Sequence, residues 1–149
     1  MDPLLIAILV MVFLSGSVVL LSLHILKEGH VMVVERLGGF YKIIEKPGSY
    51  FLFPMFDRAI EIVDIRKQTK SIKIKDEENL SIDSIDVEYT FQIVDPKLFV
   101  YASVNSLKTF ETIVKDIWLK YRVLELDQID ELSEIANNLG IQLMEISIQ

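Results

Sequence analysis

The sequence predicts an α+β domain behind one membrane-spanning helix, and three patterns predict it. Residues 4–26 contain no Asp, Glu, Lys or Arg and are almost entirely apolar. Several later segments alternate apolar and polar residues, which is typical of half-buried strands. Two amphipathic stretches, with apolar residues three and four apart, then precede a last strand-like segment. This order indicates an α+β fold with an antiparallel-rich sheet and two helices before the last strand.

The apolar run at residues 4–26 has the length of a membrane anchor. A helix of about 20 apolar residues crosses a hydrocarbon layer about 30 Å thick. Ser15, Gly16 and Ser17 interrupt the run, and such small residues let two spanning helices pack closely, so we expect an anchor-packing face there. A cleaved secretory signal is the alternative, but it begins with basic residues, and this chain has Asp2. We therefore assign residues 1–27 to the anchor and 28–149 to the domain.

Composition narrows the function. The formal net charge of −7 argues against a nucleic-acid partner, because phosphate binding needs a basic face. The chain has no cysteine, which excludes disulfides, zinc–thiolate sites and cysteine nucleophiles. Lys27, Arg36, Lys42 and Lys46 follow the apolar run and no basic residue precedes it. Basic residues beside a span mark its cytoplasmic side, so we expect a single pass through the plasma or inner membrane and a cytoplasmic domain.

The first strands are separated by turn residues. Residues 31–37 are short and rich in β-branched side chains, which favours a strand. Gly38 and Gly39 then allow a tight turn into residues 40–44, which predicts a hairpin. Pro47 and Gly48 form a second turn.

Residues 50–56 are unusually aromatic, with Pro54 among them. Proline cannot donate to a sheet ladder, so we expect an edge or irregular segment. One interpretation places these side chains in an ordinary core. The other places them at the membrane interface next to the anchor; its residues are Tyr50, Phe51, Phe53, Met55 and Phe56.

Three further segments have the strand pattern. Residues 59–65 and 70–75 alternate, and Ile72 and Ile74 are predicted to point inward. Residues 76–79 are acidic but lack the spacing of a calcium loop, so we interpret them as a turn. From residue 85 to residue 93 every second residue is apolar and is predicted to face inward, whereas the apolar residues 80 and 82 have the opposite parity, which predicts a β-bulge at position 83 or 84.

Helices precede the final strand. Asp95 and Pro96 begin a short helical turn, and Asn105 or Ser106 caps an amphipathic helix in which Trp118 is interpreted as core. A second helix is predicted from position 127 or 130. Gly140 is placed to end it in a left-handed conformation, before a strand at residues 141–148.

The residues offer no credible catalytic set. No serine lies in a Gly-x-Ser-x-Gly turn, His24 and His30 lie at the end of the anchor, and no phosphate-binding loop is present. Asp83, Asp86 and Glu88 are interpreted as a solvated group. We expect no catalytic residues, no metal ligands and no cofactor, and we keep a membrane-bound hydrolase or metal-dependent enzyme as an alternative.

Five segments in order resemble the SPFH/band 7 family, which includes stomatin, prohibitin, flotillin and HflK/C. The strongest likeness is to its bacterial and archaeal stomatin-like members. The segments are residues 34–40, 47–58, 63–66, 89–96 and 140–141, and their turn residues are Gly38, Gly39, Pro47, Gly48, Pro54 and Asp57.

The resemblance implies a non-catalytic membrane scaffold. Relatives assemble at the bilayer, organise lipid microdomains, and bind membrane proteases or channels. We therefore expect this chain to contact the lipid bilayer and to associate with copies of itself or with other SPFH proteins. A membrane protease or channel is a further partner that the resemblance implies. Relatives also continue into a coiled-coil arm, which we expect to be absent here. A regulatory or truncated subunit that joins full-length SPFH assemblies is therefore another alternative.

Overall fold

The computed structural model describes residues 2–74, 85–121 and 125–148. The chain forms two compact units, Met1–Ile62 and Val63–Gln149. An apolar helix, antiparallel strand pairs and helices before a final strand confirm the predicted α+β class. The described strands are divided among three sheets.

The N-terminal helix, α1, spans Pro3–Leu21. Proline suits this first position because its missing N–H would have no partner inside the helix. Its window Pro3–Leu20 has a mean hydropathy of 2.7 and no residue buried by the rest of the chain, so α1 is long and apolar enough to cross a membrane. The helix ends before the apolar run does. The Ser22 amide donates to the Val19 carbonyl at 3.2 Å, and Leu26 belongs to the core of the first unit.

Short strands build the rest of the first unit, and the predicted hairpin at Gly38 and Gly39 is confirmed. Strand β1 pairs with β4, and β2 lies between β3 and β5. The chain reverses between β2 and β3 within two residues, because Arg36 is already paired with Gly39. The strands are β1 (Leu23–Leu26), β2 (His30–Arg36), β3 (Gly39–Ile44), β4 (Gly48–Phe51) and β5 (Asp57–Asp64). The buried core cluster consists of Leu26, Met32, Val34, Ile44 and Leu52.

The second unit packs helices with a three-stranded sheet. Strand β7 is central, between β6 and β8, and both pairings are antiparallel. The predicted parity is confirmed, because every second residue from Val87 to Ile93 is buried. The predicted bulge at 83 or 84 and the turn at 76–79 lie outside the described residues. The elements are β6 (Gln68–Ile74), β7 (Ile85–Ile93), α2 (Pro96–Tyr101), α3 (Ser106–Tyr121), α4 (Leu126–Asn138) and β8 (Ile141–Ile148).

Side-chain caps begin these helices. The Asp95 carboxylate accepts a hydrogen bond from the Leu98 amide at 2.8 Å, and Asn105 accepts one from the Lys108 amide at 2.9 Å. The predicted start of α4 at position 127 or 130 was wrong. Glu125 is the cap instead, because its own amide also donates to the Gln128 side chain at 2.9 Å, which completes a capping box.

Aromatic side chains form the centre of the second unit. The Tyr89 ring is fully buried and lies 5.5 Å from the Phe91 ring and 5.6 Å from the Phe110 ring. Its hydroxyl donates to Glu111 Oε1 at 2.7 Å, which links β7 to α3. Trp118 is buried as predicted.

Candidate functional site

The aromatic segment after β4 presents apolar side chains to the outside of the first unit. Phe51, Phe53 and Phe56 are each about half exposed, and Met55 is 84% exposed. Tyr50 differs, because it packs against the core cluster and donates its hydroxyl to the Lys46 carbonyl at 2.6 Å. Of the two interpretations, the arrangement favours the exposed surface for the other four residues.

The sheet of β1 and β4 extends this surface toward α1. Leu23 lies directly opposite Phe51 in the register, so their side chains share one face, and Ile25 is on the same face two residues further. Leu23 is 52% and Ile25 72% exposed. We call Leu23, Ile25, Phe51, Phe53, Met55 and Phe56 the apolar surface.

Sequence reasoning missed Leu23 and Ile25. In the sequence these two residues lie within one continuous apolar run. In the structure they alternate with His24 and Leu26, which face the other side of β1. The polar residues Ser22 and His24 were the available signal that the helix ends and an alternating strand begins.

Ring contacts and a backbone hydrogen bond make the apolar surface continuous. The Phe51 and Phe53 ring centroids are 5.6 Å apart and edge-on, and those of Phe53 and Phe56 are 6.4 Å apart. The Leu52 amide donates to the Ser22 carbonyl at 2.9 Å, directly after α1. The surface therefore begins where the apolar helix ends.

An ion pair fixes the turn that carries Met55 and Phe56. Arg36 donates from Nε to Asp57 Oδ1 at 2.6 Å and from Nη2 to Oδ2 at 3.1 Å, a bidentate geometry. The Asp57 side chain is only 8% exposed and also accepts from the Phe53 amide at 3.4 Å. The hydrogen bonds from Arg36 lower the pKa of the Asp57 carboxyl below its ordinary value. Asp57 thus ties both ends of the turn to the end of β2.

The other turn residues lie at strand ends. Gly38 has φ +83° in the hairpin, where a side chain would strain the backbone. Pro54 begins a turn in which the Phe53 carbonyl accepts from the Phe56 amide at 2.9 Å. Gly39 and Gly48 begin β3 and β4, and Pro47 directly precedes β4.

The small residues of α1 lie along an exposed helix. Ser15 donates to the Val12 carbonyl at 3.0 Å and Ser17 to the Phe13 carbonyl at 2.8 Å. A side chain added at Gly16 would meet no atom within 4 Å. The helix backbone is therefore accessible at this position.

The acidic residues do not form a metal site in the part of the chain that the structure describes. No three His, Asp or Glu side chains there are placed to hold one ion. Asp86 lies 3.8 Å from the Lys73 ammonium on the neighbouring strand. Position 83 lies outside the described residues.

Comparison with known proteins gives one decisive match. The sequence model of the SPFH domain / Band 7 family matches residues 24–120, well over half of the 149 residues. The chain belongs to this family. No curated protein gives a significant match. The match starts within β1 and includes the whole aromatic segment and the Arg36–Asp57 pair.

Membership of the SPFH family carries general properties. Its proteins are membrane-associated scaffolds that generally self-associate, and they are generally non-enzymatic. The apolar helix before the matched region is consistent with membrane association of this chain.

Proposed function

We propose that the protein is a stomatin-like scaffold or regulator, held in the plasma or inner membrane by α1 in a single pass, with its SPFH domain in the cytoplasm. It would organise membrane microdomains and associate with copies of itself, other SPFH proteins, and membrane proteases or channels. The observation that carries this proposal is the apolar surface, which begins at the end of an exposed apolar helix.

The bilayer interface is the environment that suits this surface. Aromatic and aliphatic side chains left in water lose the favourable transfer free energy of burial, about 25 cal/mol per Å². A segment tied to the end of a spanning helix is held at the depth of the headgroups, where aromatic side chains are commonly found. The anchor and the apolar surface therefore act together as one membrane-contacting part.

Self-association through α1 is the testable part of the scaffold proposal. Replacing Gly16 with Leu adds a bulky side chain where two helices could approach closely, so association should weaken without loss of membrane attachment. Ala7 lies nine residues earlier, on the opposite helical face at 100° per residue. Ala7→Leu is therefore the matched control and should leave association unchanged.

The measurement is the molar mass of the full chain extracted in mild detergent. We expect assemblies larger than the 17.1 kDa monomer for the wild type and for Ala7→Leu, and smaller ones for Gly16→Leu. A monomer at every concentration, together with no partner in a crosslinking survey of the native membrane, would refute the scaffold proposal.

The membrane side can be tested with single cysteines, because the natural chain has none. Glu45 is exposed in the loop before β4, so Glu45→Cys provides an accessible thiol. A membrane-impermeant maleimide should label it only after the cells are opened. Labelling of intact cells would place the domain outside.

A further inference from the structure

Leu37, at the tip of the β2–β3 hairpin, has a backbone conformation that leucine rarely adopts. Its φ is 53°, and it is the one residue other than glycine with a positive φ within residues 2–74, 85–121 and 125–148. With Gly38 at +83°, both central residues of the turn are left-handed, the pattern of a type I′ turn. Asn, Asp and Gly are the residues that this position favours.

The Leu37 side chain buries little apolar surface in the folded chain, so burial does not offset this backbone strain. It is 77% exposed. A strained backbone and an exposed apolar side chain at one residue are both unfavourable in water. Strained conformations that persist in this way often belong to functional sites. The exposed Leu37 side chain is therefore a candidate to contact something other than this chain.

The hairpin tip is joined to the apolar surface. The Leu37 amide donates to the Phe56 carbonyl at 2.9 Å, and the preceding Arg36 makes the bidentate pair with Asp57. Both contacts hold Leu37 beside the turn that carries Met55 and Phe56. The series of exposed apolar residues therefore runs from the end of α1, through the phenylalanines, to Leu37.

Cationic side chains flank the tip. The Arg36 guanidinium carbon lies 3.8 Å from the centre of the Tyr41 ring, and the Lys42 ammonium lies 5.3 Å from it. A lysine and a tyrosine beside an apolar tip match a bilayer interface, where their polar ends face the headgroups and the apolar group enters the acyl region.

We infer that Leu37 is a membrane-insertion residue that enters the bilayer interface together with Phe53, Met55 and Phe56. This inference rests on the proposed function, because α1 must hold the first unit at the bilayer. The occupant is lipid, since the surface begins at an apolar helix long enough to cross a membrane and has Lys42 and Tyr41, whose polar ends suit headgroups, at its other end. Arg36 and Asp57 are the positioning residues that hold the tip and the turn together.

Fluorescence quenching by lipids tests the insertion. The cysteine-free full chain is labelled with NBD at Leu37→Cys, at Phe53→Cys as the second insertion position, or at Glu45→Cys as the polar control. Each protein is reconstituted into phosphatidylcholine/phosphatidylglycerol vesicles that carry a doxyl group at a shallow acyl position. Interfacial side chains lie about 5–10 Å inside the headgroup boundary, within reach of such a group.

We expect a blue shift and loss of NBD emission at Leu37 and Phe53, and neither at Glu45. If Phe53 is quenched and Leu37 behaves like Glu45, the inference about Leu37 is wrong and the apolar surface stands. If neither Leu37 nor Phe53 is quenched while the protein still floats with the vesicles, the inference about Leu37 and the proposed membrane contact of the apolar surface are both wrong. Only the membrane anchor would then be supported.

Leu37→Asn separates a membrane role from a structural one. Asparagine tolerates the left-handed conformation, so the variant should have an unfolding midpoint in detergent equal to or above that of the wild type. In vesicles, NBD at Phe53 should lose part of its blue shift and quenching, because one insertion residue is gone. A lower midpoint, or unchanged quenching at Phe53, would contradict the inference.

Discussion

Gly140 is a position at which a single added methyl group should damage the fold severely. It follows α4 with φ +74°, in the left-handed conformation that was predicted for it. Its carbonyl accepts hydrogen bonds from the Val94 amide at 3.0 Å and from the Asp95 amide at 3.2 Å. Gly140 thus joins the end of α4 and the start of β8 to the end of β7.

The cost of Gly140→Ala has two sources. A residue with a Cβ in the left-handed conformation costs about 1–2 kcal/mol. The new Cβ would also lie 2.7 Å from the Phe99 nitrogen and closer still to the Asp95 carbonyl oxygen. Both atoms are backbone and cannot turn aside, and such overpacking costs about 1–3 kcal/mol. The sum of about 2–5 kcal/mol is a large part of the 5–15 kcal/mol typical of a folded domain.

Gly38→Ala is the matched control. Gly38 has a similar φ of +83°, but a Cβ there would meet no atom within 4 Å. Only the backbone term of about 1–2 kcal/mol should remain. The difference between the two variants measures the steric clash at Gly140.

Urea unfolding of the full chain in detergent gives the comparison. Far-UV circular dichroism follows both variants, and fluorescence of Trp118, the single tryptophan and a buried residue, reports on the second unit. We expect Gly140→Ala to lower the Trp118 midpoint markedly more than Gly38→Ala does. If Gly140→Ala loses no more free energy of unfolding than Gly38→Ala, the close approach to Asp95 and Phe99 is refuted.

Two further predictions concern hydrogen bonds to carboxylates. Tyr89→Phe should cost about 1.5–3 kcal/mol in urea unfolding, because it removes a buried donor to charged Glu111. Burial and this hydrogen bond raise the pKa of Tyr89 above its ordinary 10.0. The contribution of Tyr89 to folding stability is therefore present below pH 10 and is lost as pH rises further. If the wild type and Tyr89→Phe lose the same free energy of unfolding above pH 10, this prediction is wrong. Asp57→Asn should lower the hydrogen-exchange protection of the Leu37 amide at pH 7. Because the pKa of Asp57 is lowered below its ordinary 3.8, the wild type should lose the same protection only as pH falls below that value. If the hydrogen-exchange protection of the Leu37 amide is the same in Asp57→Asn as in the wild type, Asp57 is not a positioning residue.

Regular patterns made much of the second unit predictable. The parity of β7, the caps at Asp95 and Asn105, and the left-handed Gly140 all follow from local rules of alternation and hydrogen bonding. The start of α4 was predicted wrongly because glutamate is not among the favoured caps, and only the reciprocal bond with Gln128 makes Glu125 suitable.

The first unit was predictable only in part. The hairpin at Gly38 and Gly39 was evident from composition, but the end of α1 was hidden because its last residues and β1 are both apolar. The strand is selected by a contact distant in sequence: β1 pairs with β4 and buries Leu26 in the core.

The sequence by itself determined an apolar helix near the N-terminus, an α+β domain and membership of the SPFH family, because composition, periodicity and turn residues are local properties. Only the tertiary structure decided that the aromatic side chains of residues 50–56, except Tyr50, lie outside rather than in the core. It also decided that Leu23, Ile25 and Leu37 share that exposure, and that Arg36 reaches Asp57. Strand register and the pairing of distant residues make these contacts, and no local pattern encodes them.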